Sequence, residues 1–191
     1  MKIRFANEDD YKDLALMKWE HCAEDDADYE EHNLDGVNKE DLLGEFVDFL
    51  NKQEGYKIFV ADNDGVVVSA MFVYVIPKVP KPNGNASSIA YLTNVYTKKE
   101  YRSKGIGTQL LDAAKEYLVD IKSELIFVWP SDNSIDWYKR NGFNEDNEIF
   151  ECTLCAEWIY FLFNFSIIAL WWFSIRYFGR TPVLGAVLPV K

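Results

Sequence analysis

Residues 102–108, Arg102-Ser103-Lys104-Gly105-Ile106-Gly107-Thr108, place two basic side chains and two glycines directly ahead of a strongly patterned apolar stretch. That order of residue types suits the binding of an anion. The first backbone N–H groups of a helix have no intrahelical acceptor, and the macrodipole puts partial positive charge at the same end. A phosphate docked there satisfies those donors, while glycine lets the backbone approach closely and adopt unusual φ. Arg102 and Lys104 add positive charge in a chain otherwise short of it. Taken alone, Gly-x-Gly is better read as a turn that merely caps a helix, so its neighbours must decide. A Walker loop needs Gly-x-x-x-x-Gly-Lys-Ser/Thr, which is absent. A dinucleotide fingerprint needs a third glycine at position 110, where Leu110 stands, and a parallel β-α-β unit at the start of the fold.

The elements that hold this turn are readable from periodicity and punctuation. Lys2 to Phe5 predicts a strand, closed by Asn7-Glu8-Asp9-Asp10. A helix follows with Tyr11, Leu14, Ala15, Trp19 and Cys22 on one face; Leu16 and Met17 fall outside that stripe, which predicts burial on more than one side. Glu24 to Glu31 is an acidic loop or helix end. A second helix starts near Asn38, with Asp41 placed as in an imperfect capping box and Leu42, Leu43, Phe46, Phe49 and Leu50 at helical spacing. Tyr56 to Ala61 and Val66 to Ile76 are β-branched and aromatic runs joined through Asp62-Asn63-Asp64-Gly65. Asp-Gly supplies the positive φ of a tight hairpin. Pro77 to Asn85 is a loop, Ser87 to Thr97 a strand, and Gly105 to about Lys122 the patterned helix. Leu125 to Trp129 reads as a short buried strand, Ser134 to Arg140 as a short helix, and Glu148 to Leu154 as a last strand. Early hairpins followed by a strand–helix–strand crossover predict an α/β (α+β) fold with a mixed sheet and helices on both faces.

The stretch from Tyr96 to Thr108 resembles motif A of the GNAT N-acetyltransferase superfamily, Arg/Gln-x-x-Gly-x-Gly/Ala, followed by the amphipathic helix that family requires. The preceding Leu92-Thr93-Asn94-Val95-Tyr96 looks like the family's strand 4. The resemblance covers roughly Met1 to Leu154 in element order. It implies the GNAT fold, a mostly antiparallel sheet splayed between strands 4 and 5 to admit acetyl-CoA. It also implies that Val95, Tyr96 and Thr97 line the cofactor arm, with backbone groups of Val95 and Thr97 toward the pantetheine. Arg102, Ser103, Lys104, Gly105, Ile106, Gly107 and Thr108 then surround the pyrophosphate. In the family strand 4 is bulged, a device that re-aims backbone groups but leaves no mark in this sequence.

Trp137-Tyr138-Lys139-Arg140-Asn141-Gly142-Phe143 is similar to the family's motif B, aromatic-Tyr-x-x-x-Gly-Phe. Gly142 also reads as the left-handed residue that ends a short helix, and Phe143 as the core anchor after it. The resemblance implies that Tyr138 protonates the departing thiolate after an amine attacks the thioester carbonyl, or else hydrogen-bonds the thiol. It implies the Val95 N–H as donor to the oxyanion. Many relatives carry an asparagine seven residues before this tyrosine. Here Ser131 stands there, and Asn133 two residues on is the candidate contact to the cofactor arm. A packed tyrosine without a catalytic part is the other reading of Tyr138.

Charge bounds the partners. The chain carries −11, yet residues 155 to 191 hold only Glu157 against Arg176, Arg180 and Lys191, which leaves −13 on the first 154 residues. Such a body repels nucleic-acid phosphates and favours cationic partners. The run Glu24-Asp25-Asp26-Ala27-Asp28-Tyr29-Glu30-Glu31 is either an acidic rim for a small cationic amine or a solvated charge run. It is also the pool from which a general base would come, and no member is singled out. Cys22, Cys152 and Cys155 make no disulfide framework, and His21 and His32 give no metal-ligand signature. A reducing cytoplasm is the default.

Domain organisation is predicted as residues 1–154 for the acetyltransferase domain and 155–191 for an aromatic-rich tail. Trp158 to Phe178 is uncharged except for Arg176, a length and composition that match a membrane span. Arg176 and Arg180 would then favour a cytoplasmic C-terminus and put the domain on the side away from acetyl-CoA. Three readings stay open: a membrane anchor, extra strands that pack on the sheet or pair with a second subunit in a homodimer, or a non-native extension. A non-catalytic acyl-CoA-binding module is the alternative to an enzyme.

Overall fold

A computed structural model describes residues 1–30, 32–79, 82 and 87–144. The described residues through Asn144 form one compact unit. It opens with β1 (Lys2–Phe5), a 3-10 turn (Glu8–Asp10), α1 (Tyr11–Tyr29) and α2 (Lys39–Lys52). Next come β2 (Tyr56–Asn63), β3 (Val66–Pro77) and β4 (Ser88–Thr97), then α3 (Ile106–Asp120), β5 (Ser123–Phe127) and α4 (Ile135–Arg140). The described strands form one sheet in the order β1-β2-β3-β4-β5. β1 to β4 pair antiparallel, and β5 joins β4 parallel after the α3 crossover. The mixed sheet of the sequence reading is the sheet observed.

Local chemistry explains the element starts. Asn7 accepts from the Asp9 N–H while Asp10 reaches back to the Asn7 N–H, a reciprocal cap ahead of α1. The Arg4 guanidinium joins Asp10 at 2.6 and 2.8 Å and Asp62 at 2.8 and 3.0 Å, tying β1 to the cap and to the hairpin. At that hairpin Asp64 (φ 55°) and Gly65 (φ 88°) both take left-handed backbone, which matches the strand twist in a two-residue turn. Asn38 caps α2 by accepting from the Asp41 N–H at 3.1 Å.

Helices cover both faces. On one face Ile106, Leu110, Leu111, Ala114 and Leu118 of α3 pack on Phe59, Ala61, Met71, Val73 and Leu92. On the other, Leu14 and Met17 of α1 and Leu50 of α2 pack on Ile58, Val60, Ala70, Phe72 and Tyr96. Met17 is buried although it lies outside the expected stripe, in keeping with a helix covered on more than one side, where α1 meets both the sheet and α2. The acidic run is not a loop: α1 continues through it to Tyr29 and ends on Glu30 with φ 54°. β5 spans Ser123–Phe127 rather than 125–129, since its pairing with β4 starts at Ser88–Ser123. It is not uniformly buried, with Leu125 39 % exposed. Among the described residues no helix is long and apolar enough to cross a membrane. The expected strand 148–154, Cys152, Cys155 and the tail 155–191 lie outside the described residues.

Candidate active site

Two irregularities in β4 build the site. Ala70 pairs with Tyr96 and Phe72 with Thr93, so Asn94 and Val95 together face the single residue Met71. This bulge carries Asn94 in left-handed backbone at φ 46°, and a bulge leaves its extra residue out of the ladder. On the other edge, β4 and β5 pair only as far as Tyr91–Phe127, although β4 runs on to Thr97. The strands separate beyond that point. The gap is a cleft of about 1000 Å³, bordered by residues 91–97 of β4, the turn before α3, residues 128–134 and α4. The bulge and the splay implied by the family resemblance are both present.

The turn at one end is shaped for an anion. Ser103 (φ 59°) and Gly105 (φ 75°) are both left-handed, and Gly105 begins α3 with no side chain capping it. Alternating backbone handedness turns successive N–H groups to one side, and the uncapped helix adds its own donors. Gly105 and Gly107 stand in different settings. Gly105 supplies φ, whereas a Cβ on Gly107 would sit 3.4 Å from Trp137 Cζ2 and 3.9 Å from Thr97 Oγ1. Those are ordinary van der Waals distances, so Gly107 lies beside Trp137 of α4 without the packing there demanding a glycine. Ile106 turns its side chain into the core at 3 % exposure, so only its backbone faces the cleft. Thr108 and Asn133 line the cleft, Asn133 from the 3-10 turn at Asp132–Ser134.

The basic side chains of the turn are engaged. Arg102 donates from Nε to the Thr97 carbonyl at 2.8 Å and from a terminal nitrogen to Glu24 at 2.5 Å, and stacks over the Tyr96 ring. Lys104 folds back to the Glu100 carbonyl at 2.7 Å, over Tyr101. The Thr97 hydroxyl is shared with Ser69 at 2.7 Å, and Ser69 Oγ also donates to the Tyr96 carbonyl at 3.1 Å. Tyr96 faces α1 rather than the splay, and its hydroxyl donates to Glu24 at 2.7 Å. Glu24 is thus the link between α1, β4 and the turn. Burial pushes its carboxyl up, but the hydrogen bonds from Tyr96 and Arg102 outweigh burial and hold it below the usual range.

Tyr138 borders the cleft from α4, 6 % exposed and wedged edge-on between Trp137 and Phe143. Burial, then the neighbouring Tyr91, pushes its phenol up to about 12, so it holds its proton throughout the neutral range. Gly142 has φ 85°, the left-handed helix end expected from its place after α4. From α1, His21, Asp25 and Asp28 border the cleft. His21 stacks on Tyr96 at 5.2 Å between centroids, with Nε2 3.5 Å from Asp25. The acidic run divides: Asp26 receives the Asn33 and Leu34 N–H groups and closes the α1 end, while Glu24, Asp25 and Asp28 form a cleft wall.

Comparison with known proteins agrees with this geometry. Residues 54–145 match the family model for the acetyltransferase (GNAT) domain. No curated protein sequence matches the chain. Among solved structures, a predicted acetyltransferase from Clostridium acetobutylicum, with acetyl-CoA, is 22% identical with a TM-score of 0.62, covering 80% of this chain and 96% of its own. A GCN5-related N-acetyltransferase from Ralstonia eutropha is 18% identical with a TM-score of 0.59, covering 80% and 97%. Glucosamine-6-phosphate N-acetyltransferase from Arabidopsis thaliana is 13% identical with a TM-score of 0.57, again covering 80% and 97%. At such identities the structural likeness speaks for the fold, and the family model adds what the fold cannot: residues 54–145 carry the sequence pattern of a GNAT acetyltransferase domain.

Proposed function

We propose that this chain transfers the acetyl group of acetyl-CoA to the nitrogen of a small cationic amine. The observation that carries the reading is the separation of β4 from β5 beyond Tyr91, which leaves β4 residues 92–97 facing a cleft with an uncapped helix N-terminus at one end. Its donor set fits the co-substrate. The left-handed backbone at Ser103 and Gly105 and the first turn of α3, through Thr108, suit a pyrophosphate. The edge of β4 at Val95 and Thr97, beyond its pairing with β5, suits an amide-bearing arm, with Asn133 across the cleft.

The reacting nitrogen enters as the neutral amine, its ammonium proton lost to solvent; one further proton then leaves nitrogen as it bonds, and one reaches sulfur. The amine lone pair attacks the carbonyl carbon, a C–N bond forms and the C–S bond breaks. The Val95 N–H, re-aimed by the bulge, is the donor for the oxygen that gains charge. Tyr138 holds its proton at neutral pH and gives it to the departing thiolate. The cationic acceptor follows from the α1 wall of Glu24, Asp25 and Asp28 in a body of net negative charge.

The test is release of free thiol from acetyl-CoA with a panel of cationic, neutral and acidic acceptors. Turnover is expected with cationic amines at neutral pH. Turnover only on neutral or acidic acceptors would overturn the acceptor class, and acetyl-CoA binding without turnover on any amine would favour the binding-module reading.

A further inference from the structure

Resting on the acetyl-transfer reading, we propose that His21 is the catalytic base, accepting the acceptor nitrogen's proton as that nitrogen bonds to the acetyl carbonyl carbon. Its place carries the assignment. His21 borders the main cleft and also a small crevice beneath it that includes Asn94 and Tyr96, so its ring sits on the α1 side of the β4 bulge. The Val95 N–H belongs to that same bulge. An amine approaching along the acidic α1 wall therefore passes His21 on its way to a carbonyl held at Val95.

Two contacts fix the ring. Tyr96 stacks on it, with planes 29° apart, and Asp25 Oδ2 stands 3.5 Å from Nε2. A carboxylate beside one nitrogen favours the tautomer with the proton on that nitrogen, which leaves the lone pair on Nδ1 as the base. Two of the neighbouring carboxylates are otherwise committed. Glu24 accepts from Tyr96 and Arg102, and Asp26 accepts two backbone N–H groups at the end of α1. The Tyr96 phenol is raised by burial and by Glu24, so it stays protonated and cannot accept.

The groups facing His21 set its charge state. Burial favours the neutral imidazole, Asp25 and Glu24 favour the cation, and Lys18 and Arg102 oppose the cation. Burial prevails and holds the imidazole below its ordinary value, so the lone pair is available at neutral pH. Such a base is too weak to strip a free ammonium ion. It suits the moment of attack, when bonding to carbon makes the nitrogen strongly acidic. The proton taken by His21 passes to solvent, and solvent restores the proton that Tyr138 gives to sulfur. The balance is one amine and one thioester in, one amide and one thiol out.

The experiment is the pH dependence of kcat/KM for a cationic amine on the full chain, between about pH 5 and about pH 8. Referred to the concentration of the neutral amine, so that the substrate's own ammonium titration is divided out, the wild-type rate should fall with acid along a limb placed below the ordinary imidazole value of 6.5. His21→Gln should abolish that limb and lower kcat about 100-fold at neutral pH, with acetyl-CoA affinity held within about twofold. Asp25→Asn removes the main group favouring the cation, so its limb should move to lower pH, a shift that a merely structural role would not produce. An unchanged limb and a rate within about threefold in His21→Gln would overturn the assignment. So would a loss of acetyl-CoA binding in step with the loss of turnover. Wild-type protein that binds acetyl-CoA but acetylates no amine would overturn the acetyl-transfer reading itself, and this one with it.

Discussion

Tyr138 illustrates how burial sets a role at the scale of one residue. Trp137 and Phe143 pack on its ring, and desolvation leaves the phenol protonated well beyond the neutral range. Tyr138→Phe keeps the ring and its contacts, so it removes the proton without opening a cavity. The expected outcome is a fall in kcat of about 10- to 100-fold, with KM for acetyl-CoA nearly unchanged and the melting temperature close to wild type. An alkaline limb from this group is not expected near neutral pH, since its pKa is pushed up to about 12. A rate equal to wild type at all pH values would reduce Tyr138 to a packing residue. Asn94 and Ser103 carry the complementary lesson. Both hold left-handed backbone and both border the cleft; the cost is about 1 kcal/mol for Ser103 and smaller for Asn94, since asparagine tolerates that region.

At the scale of elements, α1 and the turn before α3 are tied by one carboxylate. Glu24 accepts from the Tyr96 hydroxyl and the Arg102 guanidinium, with Lys99 at 3.9 Å. Glu24→Ala leaves the Tyr96 hydroxyl without its best acceptor and frees Arg102 from one of its two anchors. Stability should drop by about 1–3 kcal/mol in urea unfolding, and acetyl-CoA should bind several-fold more weakly as the turn loosens. The sign of the pH dependence follows from the lowered carboxyl. Its contribution is complete above the ordinary 4.5 and fades as pH falls through the folded value, so wild type and Glu24→Ala should converge in acid. A constant difference down to acid pH would assign the loss to packing instead. None of this tie was legible in the sequence, where Glu24 is one of a run of carboxylates and only the reach of α1 to Tyr29 sorts them. The strands, the Asp-Gly hairpin and α3 were legible, because alternation, turn chemistry and helical spacing are local. The bulge at Asn94–Val95, the left-handed Ser103 and the contact of Gly107 with Trp137 depend on partners distant in the chain. The family resemblance anticipated the bulge; the residues themselves carried no sign of it.

For the molecule as a whole, the decisive property is how charge is distributed around the cleft. Lys98, Lys99, Arg102 and Lys104 cluster at the turn, while Glu24, Asp25 and Asp28 line the α1 wall, and the first 154 residues sum to −13. An anion is therefore attracted locally and repelled globally, whereas a cation is attracted at both ranges. Added salt screens the long-range field first, because the Debye length falls from about 30 Å at 0.01 M to about 8 Å at 0.15 M. Acetyl-CoA, held by backbone N–H groups against an opposing net charge, should show a KM that changes less than about twofold over that interval. A dicationic acceptor should show a KM rising several-fold, a monocation a smaller rise, and both an unchanged kcat, since screening alters encounter and capture rather than the bonds being made. The comparison needs one preparation of the full chain and two amines differing by a single charge. A dicationic KM that ignores salt would mean that the acidic wall is a solvated face, and the acceptor would then have to be sought among neutral amines.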